Sequence, residues 1–174
     1  VHCVDEWVRS TLPQIPIYSF YYPNFSEINT LNTIPYKSRR DVFSMYCDDW
    51  LLETICHGPY NCRLVTEFCE YNNLTYTLLS GGPANSCRGA VNERCIVING
   101  FRQRIEYLKI LANHKLLLHF KAHHFATGQP FLECAALGVV PVGSNADHYK
   151  LLYPDLPTEI NDSVISQTAL QILK

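Results

Sequence analysis

An α/β fold is predicted, with a parallel sheet of about five or six strands covered by helices on both faces. Three observations predict it. Short apolar runs alternate along the chain with stretches of helical periodicity. The runs are continuously apolar, as strands buried on both faces require. Gly or Asn closes most of them, where a crossover must turn. The 174 residues suit one domain. A chain of that size buries about 70% of its unfolded surface, enough for a core without staples.

The elements follow in order. Residues 1–40 include "TLPQIPIYSFYYPNFSEINTLNTIPYKSRR", rich in Pro, Asn and aromatics. This stretch reads as a linker with one short strand near Ile17 to Tyr21. Residues 41–174 form the domain. "DVFSMY" is its first strand, followed by Cys47-Asp48-Asp49. "DWLLETICHG" reads as a helix stopped by Gly58. "CRLVTEFCEYNN" is a helix with Leu64, Val65, Phe68 and Cys69 on one face, ended by Asn72-Asn73. "LTYTLLSGG" and "ERCIVING" are strands closed by glycines. "FRQRIEYLKILANH" is an amphipathic helix with Ile105, Leu108, Ile110 and Leu111 near one side. "KLLLHF" is a strand, "PFLECAALG" a helix stopped by Gly138, and "VVPVGSN" a strand. "DSVISQTALQILK" is the final helix.

Charge and cysteine content narrow the function. The net charge is −2, which argues against a nucleic-acid partner, whose phosphates demand a clustered basic surface. No apolar run reaches the length of a membrane span. The chain begins at Val1, so it is expected to be a piece of something longer. None of its eight cysteines forms a C-x-x-C pair. Cys95 and Cys134 sit in apolar runs and read as buried thiols. Cys56, Cys62 and Cys69 are disulfide candidates in an oxidising compartment, with free thiols as the default. N-x-S/T sequons occur at Asn24, Asn73 and Asn161. The expected location is the cytoplasm, with a secretory lumen as the alternative.

In parallel α/β sheets, ligands sit beyond the carboxyl ends of the strands. The residues after each strand are therefore the candidates: Cys47-Asp48-Asp49, Ser80-Gly81-Gly82, Asn99-Gly100-Phe101, Lys121 to Gln129, and Ser144-Asn145. A helix starting near Gln129 offers unpaired N–H groups and a partial positive charge, a seat for a diphosphate. Gly128 allows close backbone approach. Glu133 lies one turn into that helix.

"HFKAHHFATGQPFLECAALGVVPVGSN" resembles the Gly-x-Pro, Glu-Ala helix and Gly-x-Pro-Val-Val stretch of the GT-B glycosyltransferases. The match is to the retaining group that includes sucrose and glycogen synthases and lipopolysaccharide mannosyltransferases. Gly128, Pro130, Glu133, Ala135, Gly138, Pro141 and Val142 occupy the matching places. "YYPNFSEINTLN", "TLLSGGP" and "ERCIVINGFRQRIEYLKI" extend the likeness collinearly over nearly the whole chain. The resemblance implies the Rossmann-like C-terminal half of a GT-B fold, with an N-terminal domain supplied by the same or another chain. It implies a nucleoside diphosphate sugar as donor and no metal or other cofactor; Mg²⁺ is not expected. The donor would meet Gly81, Gly82, Gly100, Phe101, Arg102, Lys121, Thr127, Gly128 and Gln129, with Glu133 accepting from the ribose hydroxyls.

Two departures stand against catalysis. The family's first Glu, beside the transferred sugar, is replaced by Phe125. Its Gly-Arg and following Lys, which grip the diphosphate, are replaced by Cys47-Asp48-Asp49, with Lys121 or Arg88 as possible substitutes. The alternative is therefore a catalytically degenerate domain acting as a scaffold or interaction module. Each signal also has an ordinary reading. Asp48-Asp49 suits Mg²⁺ with phosphate help or a helix N-cap. His119, His123 and His124 match no ligand spacing and read as structural or exposed. Cys134 as a nucleophile is disfavoured by its place inside a helix.

Overall fold

The computed structural model describes residues 25–31, 34–46, 58–80, 93–99, 103–122, 129–144, 153–157 and 161–174. Its elements are α1 (Phe25–Asn29), a 3-10 turn (Tyr36–Ser38), β1 (Arg40–Tyr46), α2 (Gly58–Tyr71), β2 (Tyr76–Ser80), β3 (Cys95–Asn99), α3 (Arg104–Ala112), β4 (His114–Ala122), α4 (Gln129–Leu137), β5 (Val140–Ser144) and α5 (Asp162–Leu173). The five strands form one sheet in the order β3-β2-β1-β4-β5. Every pairing is parallel. The chain reverses its direction of travel across the sheet between β1 and β4, which makes that pair the topological switch point.

Alternation along the central strands feeds two cores. Val42, Leu116, Leu118, Phe120 and Val142 face a core closed by Val65, Phe68 and Cys69 of α2 and Ile165 and Ala169 of α5. Phe43 and Leu117 face the opposite core, closed by Ile28 of α1, Leu108 and Leu111 of α3, and Cys134 and Leu137 of α4. Neighbouring residues such as Val42 and Phe43 are both fully buried on opposite sides of the sheet. This is why the strands read as continuous apolar runs.

Helix α2 buries Asn61, Cys62, Val65, Phe68 and Cys69, a single helical stripe. The expected face of Leu64, Val65, Phe68 and Cys69 is thus largely right, with Leu64 partly buried. Gly58, expected to close a helix, opens α2. Pro59 follows it, and Pro is favoured in a first turn, where its missing N–H would have no partner in any case. The helix expected over residues 49–57 and the strand near residues 17–21 lie outside the described residues. Asn73 ends the α2 turn in the left-handed region, at φ 57°. Gly138 does the same for α4 at φ 63°, and Arg39 Nη1 donates to the carbonyls of Leu137 and Gly138 at 3.1 and 2.8 Å. The stretch expected as linker contributes α1, whose Ile28 joins the second core.

Cys95 and Cys134 are buried free thiols, as expected. Cys69, a disulfide candidate from sequence, is also a free thiol. It is buried in the first core, and burial pushes its thiol up. Cys62 is disulfide-bonded.

Candidate functional site

The strongest geometric feature is the parting of β1 from β4. β1 pairs with β2 through to Tyr46–Ser80. Its pairing with β4 extends from Arg40–His114 to Phe43–Leu117. Side chains span the gap beyond. Ser44 Oγ donates to the Leu118 carbonyl at 2.8 Å. Asn61 Nδ2 donates to Ser44 Oγ at 3.1 Å and to the Met45 carbonyl at 3.2 Å. Asn61 Oδ1 accepts from the Phe120 backbone N–H at 2.7 Å. Asn61 is buried, and one amide side chain supplies what a strand ladder otherwise would. A carboxamide suits the place because it offers donors and an acceptor without charge.

β4 is irregular on its other side too. Leu118 pairs with Val142, but Ala122 pairs with Ser144, so β4 bulges between them. Gly143 sits opposite at φ 101°, and a Cβ there would lie 1.7 Å from the His119 carbonyl oxygen. Only glycine allows that approach. Such bulges re-aim the chain beside sites, and Lys121 lies within this one. His119 is buried, and burial drives its imidazole down to about 3. It is a neutral core histidine.

On the opposite face, the first turns of α3 and α4 meet. Glu133 is 1% exposed and lies on the same buried stripe as Cys134 and Leu137. Arg104, the first residue of α3, reaches it with Nη1 at 2.8 Å from Oε1. Arg104 Nε also binds Glu27 Oε2 of α1 at 2.9 Å. Burial pushes the Tyr107 phenol up, and the adjacent Glu133 carboxylate pushes it the same way. Burial does the same to the Cys134 thiol, again with help from Glu133. A protonated, fully buried thiol is no nucleophile.

Glu133 is therefore a carboxylate fixed by an arginine, one turn inside the α4 N-terminus. Gln129 is the first residue of α4, and Lys121 lies near the end of β4. Gly81, Gly82, Gly100, Phe101, Arg102, Phe125, Thr127 and Gly128 lie outside the described residues, as do Cys47, Asp48, Asp49, Arg88, His123 and His124. Two features escaped the sequence reading. Asn61 lies one residue before the helix that the sequence predicts, although a polar residue on the apolar stripe is its signal. Nothing local to Arg104 announces its partner, 29 positions away. Among the described residues, no group of three His, Cys, Asp or Glu side chains is placed to hold a metal ion. Among them also, no helix is long and apolar enough to cross a membrane.

No family model matches the chain. The small ribosomal subunit protein uS4 of Acinetobacter baylyi is 29% identical over 102 residues, which are 54% of this chain and 49% of that protein. The chain thus spans about half the length of that relative. Among solved structures, one from Listeria monocytogenes assigned as a UDP-N-acetylglucosamine 2-epimerase superposes with a TM-score of 0.51 at 15% identity. The superposition covers 89% of this chain and 40% of that one. With its parallel sheet and strand order, the chain has a Rossmann-type α/β fold of the GT-B-like kind.

Proposed function

We propose that this chain is the nucleotide-sugar-binding lobe of a GT-B-fold enzyme, holding a nucleoside diphosphate sugar where β1 and β4 part. The observation that carries the reading is the switch-point opening, spanned by Asn61 instead of a strand ladder. Ligands of open α/β sheets bind at such points. The α4 N-terminus supplies N–H groups and a positive dipole end for the diphosphate. Glu133, immobilised by Arg104, is the acceptor for the ribose hydroxyls. In the transferase form of the reading, the dipole stabilises the leaving diphosphate without a metal, a second lobe on the same or another chain brings the acceptor, and the sugar transfers with retention. Gly81, Gly82, Gly100, Phe101, Arg102, Lys121, Thr127, Gly128 and Gln129 complete the donor contacts.

A second reading, a scaffold without catalysis, is favoured by one observation. Glu133 is almost fully buried and already committed to an ion pair, as a purely structural residue would be. A ribosomal role is not favoured, because a net charge of −2 gives no excess of basic residues for phosphate neutralisation.

A thermal-shift screen against UDP, GDP, ADP and their sugar conjugates, with and without Mg²⁺, separates the readings. A ligand at a hundred times its Kd stabilises by about 2.7 kcal/mol. For a domain of this size that is a rise of about 5–10 °C. A base-selective rise that Glu133→Gln reduces by about 1 kcal/mol supports the donor site. A flat screen of folded protein selects the scaffold.

A further inference from the structure

The sequons and the Cys62 disulfide are used by neither reading of the site. Asn73 and Asn161 are both exposed in the folded chain. Asn73 follows the end of α2 in the left-handed region, and its Oδ1 accepts from Arg94 Nη1 at 2.7 Å. Asn161 precedes α5, and its Oδ1 accepts from the Ser163 N–H at 2.9 Å. In both, the structural work falls on the carbonyl oxygen of the side-chain amide. The nitrogen, where a glycan attaches, makes no hydrogen bond to a described residue. A glycan on Nδ2 therefore leaves the α5 cap and the Arg94 contact in place. Tyr71, two residues before Asn73, is 87% exposed, an aromatic ring left to solvent beside that attachment point.

The disulfide is an independent observation on the compartment. Cys62 is disulfide-bonded, whereas Cys69, Cys95 and Cys134 are free, so its partner lies outside the described residues. Disulfides persist in oxidising compartments and are rare where thiols are kept reduced. The same oxidising lumen is where Asn-x-Ser/Thr acquires glycans.

We propose that Asn73 and Asn161 carry N-linked glycans and that the domain resides in the lumen of the secretory pathway. The donor is a lipid-diphosphate-linked oligosaccharide. The bond from Asn Nδ2 to the sugar C1 forms, and the bond from C1 to the diphosphate oxygen breaks. The amide loses one proton, and the lipid diphosphate leaves with the electron pair.

The test uses the full-length protein isolated from its own cells. It is alkylated under denaturing, non-reducing conditions, treated with an amidase that converts glycosylated Asn to Asp, and mapped by mass spectrometry. Expected are Asp at positions 73 and 161 and a Cys62 peptide that resists alkylation until reduced. The variants Asn73→Asp and Asn161→Asp keep the carbonyl oxygens that hold the fold and should each remove one step of gel mobility. Unmodified Asn at both positions, with Cys62 alkylated before reduction, overturns the proposal. Neither result depends on donor binding, so the nucleotide-sugar reading stands or falls separately.

Discussion

At the starts of its strands the sheet is tied by charged side chains, whereas at their carboxyl ends neutral groups join β1 to β4. Asp41 Oδ2 accepts from the Thr75 N–H and hydroxyl, each at 2.9 Å, and Asp41 Oδ1 pairs with Lys115 Nζ at 2.7 Å. Arg40 Nη2 donates to the carbonyls of Tyr76 and Arg94. His114 links helix to strand, with Nδ1 donating to the Ile110 carbonyl at 2.7 Å. A carbonyl can only accept, so Nε2 accepts from the Thr77 hydroxyl at 2.8 Å. These contacts run across β2, β1 and β4 and lock their register. The other end has a gap closed by Ser44 and Asn61, and a bulge resting on Gly143. The difference teaches where the fold is free to vary. Regular pairing with charge locks belongs to the end where no ligand is expected, and irregular pairing to the end where a crevice has to open.

The comparison can be broken hardest at Gly143. Gly143→Ala forces a Cβ into the His119 backbone at a positive φ. We expect a loss of about 4 kcal/mol or more in urea unfolding, or failure to fold. Asn61→Ala is next. It leaves the Phe120 N–H and Met45 carbonyl unpaired, costing about 3 kcal/mol. Any donor-induced thermal shift should fall with it, because the opening is no longer held. If Asn61→Ala is neutral, the carboxyl end does not depend on that amide.

Acid sharpens the contrast from the other end. Burial lowers His114 to about 4, below the ordinary 6.5. The folded state therefore binds fewer protons than the unfolded one in that window. Stability is complete above about pH 6.5 and falls as pH drops toward about 4, by on the order of 2 kcal/mol at pH 5. His119 falls in the same direction. Burial alone would raise Asp41, but the Lys115 and Thr75 hydrogen bonds outweigh it and lower the carboxyl. Its contribution is present above 3.8 and is lost only at more acid pH. Unfolding curves of a His114→Gln variant should show a shallower loss between about pH 6.5 and pH 5. The smallest effect is expected for Lys115→Met. With Thr75 still bonded to Asp41, the loss in urea unfolding should be about 1 kcal/mol. A loss as large as that of Asn61→Ala would mean that charge, and not neutral bridging, dominates the sheet.

The elements most legible in sequence were those governed by local periodicity. The strands at "DVFSMY", "KLLLHF" and "VVPVG", the apolar face of α2 and the Gly138 stop all follow from neighbours within a few residues. Gly58 can mark either end of a helix, and with Pro59 in the next place it opens α2. The candidate site was legible only as the set of segments following strands. Glu133 was singled out by its place in a motif, but its burial was not expected, because a Glu in an amphipathic helix ordinarily faces solvent.

By itself, the sequence determined that five continuous apolar runs would pair in parallel and be covered on both sides, since runs without polar alternation have no face to give to water. It determined the helix stripes for the same reason. Only the tertiary structure decided that β1 would part from β4, that Asn61 would bridge them, and that Arg104 would find Glu133. Those outcomes depend on which atoms arrive within about 3 Å across long sequence separations, and hydrogen bonds and ion pairs of that kind leave no period to read.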